Sequence, residues 1–102
     1  MKYNKLVRDK IPKVIKESGK RPEIHIADNQ EYWEKLKEKL SEEVDEFLKE
    51  SNEEEISDIL EVIDAICKFK KFDKKKIDEI KKQKIEKRGE FKDKIILDEV
   101  ND

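Results

Sequence analysis

Two stretches of helically spaced apolar residues are separated only by Ser51 and Asn52, and this constrains the fold more than any other feature. The spacing predicts one helix from about Glu31 to Glu50 and a second from about Glu53 to Lys70. The apolar row of the first helix is Trp33, Leu36, Leu40, Val44, Phe47 and Leu48; that of the second is Ile56, Ile59, Leu60, Ile63, Ile66 and Cys67. Because the connection is so short, the two helices must form an antiparallel hairpin.

Weaker elements are predicted on both sides of this hairpin. A brief helix is expected over Lys13 to Ser18, stopped by Gly19. A third long helix is expected from Lys74 to Lys87, with few apolar positions and an end at Gly89. Residues 24–26 and 95–97 read as short extended segments that would pair as strands. The fold class is therefore all-α, in a single domain of residues 1–102.

Composition suggests that this domain does not complete its own core. Charged residues make up 51% of the chain and hydrophobic residues 34%, with only two Gly and two Pro. A domain of this size buries a modest fraction of its surface. We therefore expect a helix bundle completed by homo-oligomerisation, as a homo-dimer or homo-tetramer.

The same composition bears on partners and location. The formal net charge is −2, from 25 basic and 27 acidic residues, which gives no bulk attraction to a nucleic-acid polymer. No apolar run approaches the length of a membrane span, and the N-terminus lacks the apolar core of a signal peptide. The single Cys67 has no partner for an internal disulfide. A cytoplasmic protein without a membrane partner is expected.

Four carboxylates flank the apolar rows of the hairpin. Glu43 and Glu46 lie one turn apart beside the first row, and Glu55 and Asp58 lie one turn apart beside the second. Both pairs are displaced in the same rotational sense, so both face the groove between the helices or both face away. If they converge, their mutual repulsion calls for a hard cation such as Mg²⁺, or Mn²⁺ as an alternative. Otherwise they are ordinary residues at the edge of the core.

Several motifs resemble those of a known superfamily, the all-α nucleoside triphosphate pyrophosphohydrolases, which includes MazG, the dimeric dUTPases and phosphoribosyl-ATP pyrophosphohydrolase. Residues 41–48 (SEEVDEFL) and 54–63 (EEISDILEVI) are similar to its two metal-binding helices. Residues 3–12 (YNKLVRDKIP) resemble the opening of a small subfamily. Residues 84–91 (KIEKRGEF) resemble that subfamily's K-x-x-x-R-G-G-F, with Glu90 at the second glycine. The segment between Glu46 and Glu55 is shorter than in most of the superfamily.

The resemblance implies roles for individual residues. The catalytic metal ligands would be the four carboxylates Glu43, Glu46, Glu55 and Asp58. The residues binding substrate phosphates would be Lys5, Arg8, Lys10, Lys84 and Arg88. The metal would neutralise the triphosphate and help activate water.

The implied activity is Mg²⁺-dependent hydrolysis of a nucleoside triphosphate to a monophosphate and pyrophosphate. House-cleaning of non-standard nucleotides is the first expectation for the substrate, and phosphoribosyl-ATP is the alternative. A different class of function also fits an amphipathic hairpin, namely a non-catalytic helical module for oligomerisation or partner binding.

Overall fold

The computed structural model describes residues 2–102, and every regular element among them is a helix. The four helices are α1 (Ile11–Glu17), α2 (Asn29–Glu50), α3 (Glu53–Lys70) and α4 (Lys74–Arg88). The chain divides into two compact units: the first runs to Lys71, and the second runs from Phe72 to Asp102. The prediction of an all-α chain is confirmed for the described residues.

The first unit is built on the hairpin of α2 and α3, which pack against each other. Trp33 near the start of α2 stacks on Phe69 near the end of α3, with ring centroids 6.1 Å apart. Glu43, in the second half of α2, lies beside Asp58, in the first half of α3. Early residues of one helix therefore meet late residues of the other, which confirms the predicted antiparallel arrangement.

Side-chain caps begin the long helices where the sequence offers them. The Asp28 carboxylate accepts a hydrogen bond from the Glu31 backbone N–H at 2.8 Å, at the start of α2. The Asn52 side chain accepts one from the Glu55 N–H at 2.9 Å, at the start of α3. Each cap satisfies a backbone donor that the helix itself leaves unpaired. Of the two residues that separate α2 from α3, Asn52 is thus the N-cap of α3, and Ser51 ends α2.

The short helix α1 begins earlier than predicted. It starts at Ile11, so Pro12 lies inside its first turn. Proline is tolerated there because its missing N–H would have no partner in the helix. Gly19, with a φ of 87°, follows the helix and donates its N–H to the Lys16 carbonyl, in agreement with the predicted stop.

The predicted strands at residues 24–26 and 95–97 are wrong, because neither segment forms a strand. Ile24 and Ile26 are exposed, as are Ile95, Ile96 and Leu97. A short apolar alternation does not make a strand unless a neighbouring backbone completes its hydrogen bonds.

The core of the first unit is small and differs in part from the predicted apolar rows. The buried apolar side chains among the described residues are Leu36, Val62 and Cys67, and of these Leu36 is the most completely enclosed. Val62 was not in the predicted row of α3, whereas Leu60 and Ile63 of that row are exposed. Leu48 of the α2 row is also exposed, at 70%. Each helix is therefore turned so that the carboxylate side of its row faces the partner helix.

The second unit contains α4 and the residues that follow it. The helix begins at the Asp73 cap, whose carboxylate accepts from the Lys75 N–H at 2.9 Å. Its sparse apolar positions, Ile77, Ile80 and Ile85, are all partly exposed. Among the described residues, no helix combines the length and apolar character needed to cross a bilayer.

Candidate metal centre

Three carboxylates meet where α2 faces the first turns of α3. Glu43, Glu55 and Asp58 each contribute one oxygen to a group whose atoms all lie within 4.8 Å of one another. Glu55 and Asp58 are one turn apart and so project from the same side of α3. Glu43 approaches them from α2. These three carboxylates thus face the groove between α2 and α3, which is one of the two arrangements that the sequence allowed.

The group is partly withdrawn from solvent. The side chain of Glu43 is 12% exposed and that of Asp58 is 32% exposed. The Oε2 atom of Glu55 is buried and accepts no hydrogen bond from any described residue. A buried polar oxygen without a partner is unfavourable, and a cation bound there would relieve the cost.

The electrostatics of Glu55 reflect the same crowding. Burial raises the pKa of its carboxyl group, and the negative charges of Asp58, Glu43, Glu46 and Glu54 raise the pKa further. Ionising Glu55 therefore works against its neighbours.

Two cations border the group. The Arg8 guanidinium donates from Nη2 to Asp58 Oδ1 at 2.9 Å. The Lys39 ammonium lies 3.5 Å from Glu43 Oε1. Lys39 was not predicted as a site residue, although its position four residues before Glu43 is the spacing of a helical ion pair.

The segment before α1 contacts both helices of the hairpin. Lys5 donates to Glu42 Oε1 of α2 at 3.1 Å, while Arg8 reaches Asp58 of α3. Lys39 lies 3.7 Å from the same Glu42 oxygen. Partial burial of Glu42 opposes ionisation, but the hydrogen bond from Lys5 and the charges of Lys39 and Lys5 prevail and lower its pKa. The N-terminal segment is therefore tied to the hairpin beside the carboxylates.

The remaining predicted site residues lie outside this group of three. Glu46 is exposed on α2, although its charge acts on Glu55. Lys10 is exposed at the N-cap of α1. Lys84 and Arg88 are exposed on α4, in the second unit.

The donor set fits a hard divalent cation. Its atoms are all carboxylate oxygens, the ligands that Mg²⁺ and Mn²⁺ prefer over softer metals such as zinc. The unpartnered Glu55 oxygen and the raised pKa of Glu55 both indicate that a cation bound at this point would be stabilised. Three protein ligands would also leave coordination positions for water and phosphate oxygens.

The Asn52 cap positions Glu55, and its loss should be measurable. Asn52→Ala is expected to lower the free energy of unfolding by about 1 kcal/mol. The melting temperature should fall by roughly 4 to 8 °C for a domain of this size. Asn52→Ser, which retains a capping oxygen, should behave nearly as the wild type in the same thermal denaturation. An unchanged melting temperature in Asn52→Ala would show that this hydrogen bond contributes nothing.

Comparison of this chain with known proteins gave few matches. No protein-family model matches the chain, and no solved structure matches it significantly. A segment of 42 residues is 50% identical to an uncharacterized protein of Mycolicibacterium smegmatis. The match covers 41% of this chain and 43% of that relative, so the chain spans less than half of the relative it matches.

Proposed function

We propose that this chain is a Mg²⁺-dependent nucleoside triphosphate pyrophosphohydrolase of the MazG-like type. The observation that supports the proposal most is that Glu43, Glu55 and Asp58 converge, and that Arg8 from the N-terminal motif binds one of them. These residues come from three separate stretches that each resemble the superfamily. The short connection already brings α2 and α3 together, so the support comes from the carboxylates facing each other and from the approach of Arg8 to Asp58.

The carboxylates would hold the cation. Glu43, Glu55 and Asp58 supply the first ligands, and Glu46 on the neighbouring turn of α2 is proposed as the fourth. When bound, Mg²⁺ would neutralise the triphosphate and lower the pKa of a coordinated water. A carboxylate of the same set would orient the attacking water and accept its proton.

The cations beside the group would bind the substrate. Arg8 and Lys39 lie next to Asp58 and Glu43, so phosphate oxygens held by the cation would come close to their positive charges, which would stabilise the charge that develops there. Water attacks the α-phosphorus, the bond from that phosphorus to the bridging oxygen breaks, and pyrophosphate leaves. Lys5, Lys10, Lys84 and Arg88 are retained as proposed phosphate ligands on the strength of their motifs.

The reaction is tested by incubating the protein with standard and modified nucleoside triphosphates, with Mg²⁺ or with EDTA. Pyrophosphate and orthophosphate are assayed separately. Mg²⁺-dependent pyrophosphate release is expected, with a non-standard nucleotide as the best substrate. If triphosphates are inert, phosphoribosyl-ATP is the next compound to test. Failure of that substrate too would leave the non-catalytic module as the better explanation.

A homo-oligomer, dimer or tetramer, is part of the proposal, and an exposed apolar surface supports it. This apolar face consists of Val44 and Leu48 on α2, and Ile56, Leu60 and Ile63 on α3. On each helix these residues are turned roughly 90° or more from the helix contact, in the same rotational sense. In an antiparallel pair, equal sense places both rows on one face of the hairpin. Exposed apolar residues gathered on one face of a hairpin typically mark a protein interface.

We therefore expect a mass above that of the monomer in light scattering at micromolar concentration. Leu48→Asp should shift the mass towards that of one chain, because a charge on the apolar face cannot be buried without a partner. Glu50→Lys, a charge change at an exposed position on the same helix, is the control and should leave the mass unchanged. A monomeric wild type would refute the oligomer.

A further inference from the structure

We propose that Arg8 competes with the divalent cation of the proposed function for the Asp58 carboxylate. The inference rests on the proposed function, since it concerns the same carboxylates. The guanidinium lies 2.9 Å from Asp58 Oδ1, and Asp58 belongs to the group that would hold the metal. A dication on the same carboxylate would lie close to the guanidinium, and like charges at that distance repel.

Arg8 differs from the other cation at the group in how firmly it is held. Its side chain is 57% exposed, and it comes from the irregular segment before α1. Lys39 is 22% exposed, belongs to α2 and approaches both Glu42 and Glu43. An exposed ion pair from an irregular segment costs little to break. Of the two cations, Arg8 is therefore the one whose ion pair with a grouped carboxylate is easier to break.

The position of Lys5 supports a local movement of the Arg8 side chain. Lys5 remains anchored on Glu42, which is not one of the three grouped carboxylates. The segment can thus stay on the hairpin while the Arg8 side chain leaves Asp58. Once displaced, the guanidinium is available to an oxyanion, for which its planar fork is well suited. Metal entry would thereby prepare an anion-binding group.

Metal affinity provides the test. Mn²⁺ is titrated into wild type, Arg8→Gln and Arg21→Gln, and free Mn²⁺ is counted by electron paramagnetic resonance. Arg21 is an exposed arginine whose replacement makes the same change in net charge. Arg8→Gln is expected to bind Mn²⁺ roughly three- to fivefold more tightly than wild type, the effect of losing one exposed ion pair. Arg21→Gln should match wild type.

A second measurement uses the wild type alone, in case Arg8→Gln fails to fold. The Nε–Hε resonance of Arg8 is followed by ¹⁵N NMR during a titration with Mg²⁺, and it should move as the guanidinium leaves Asp58. If Mn²⁺ binds the wild type while Arg8→Gln binds no more tightly and the resonance stays fixed, the competition is refuted but the metal site stands. Absence of binding to wild type and variant alike would overturn both proposals.

Discussion

Glu55→Gln is expected to reduce Mg²⁺-dependent pyrophosphate release by at least about 100-fold, since loss even of groups that only support metal ligands costs 10- to 100-fold. Glu55 belongs to the carboxylate group, and its Oε2 is the buried oxygen without a hydrogen-bond partner among the described residues. The amide that replaces it carries no charge and is a poor ligand for a hard cation. Initial rates at several Mg²⁺ concentrations measure the effect and show whether excess metal restores activity.

Glu54→Gln is the matched control. Glu54 is the preceding residue on α3, is exposed and lies outside the group of three. The substitution makes the same change in charge and shape without removing a proposed ligand. Its rate should stay close to that of the wild type, within about twofold, because Glu54 contributes no proposed metal ligand and only a weak charge effect on Glu55. Full activity in Glu55→Gln would refute the ligand assignment.

Glu55→Gln should also stabilise the metal-free protein at neutral pH. Because folding raises the pKa of Glu55, the ionised group opposes folding once the pH exceeds the ordinary glutamate value. The penalty grows as the pH rises towards the raised pKa and is complete above it. Glu55→Gln should therefore melt at a higher temperature than wild type at pH 7, and the difference should vanish at acidic pH. Thermal denaturation in EDTA across this range provides the measurement.

Leu36→Ala is expected to have the largest effect on stability. Leu36 is 1% exposed, the most completely enclosed of the three buried apolar residues in the described part of the chain. Leucine-to-alanine changes in cores cost about 2 to 5 kcal/mol, through lost transfer energy and the cavity left behind. A small domain has only about 5 to 15 kcal/mol in total. The melting temperature should thus fall by at least about 8 °C.

Leu97→Ala is the control that distinguishes the effect of burial from the effect of replacing a leucine. Leu97 is 76% exposed, so the same deletion removes few contacts. Its free energy of unfolding should change by less than about 0.5 kcal/mol. Equal effects of the two substitutions would show that Leu36 does not form the core of the folded unit. Chemical denaturation followed by circular dichroism distinguishes these results.

Local sequence determined the helices well. The predicted bounds of α3, Glu53 to Lys70, are those of the structure, and α4 differs by one residue at its end. Helix periodicity and capping act over a few residues, so one sequence contains the information. The same locality explains why Glu55 and Asp58 were correctly placed on one side of α3.

Tertiary structure decided the rotation of the helices and the composition of the site. The sequence left open whether the carboxylates faced into the groove, and Val62 was missed as a core residue. Which side of a helix is buried depends on what packs against it, and a periodic pattern locates that side only approximately. Glu46 shows the limit of prediction from helical spacing. The spacing paired it with Glu43, whereas in the structure Glu46 is exposed.

Contacts between distant parts of the chain needed the fold most of all. Arg8 and Asp58 are 50 positions apart, and Lys5 and Glu42 are 37 apart. In a chain with 25 basic and 27 acidic residues, charge alone allows too many pairings to choose among. The sequence thus determined the helices and the residue types that suit a metal centre, because both are local properties. Only the packing of α2, α3 and the N-terminal segment decided which carboxylates meet and which cation lies on them.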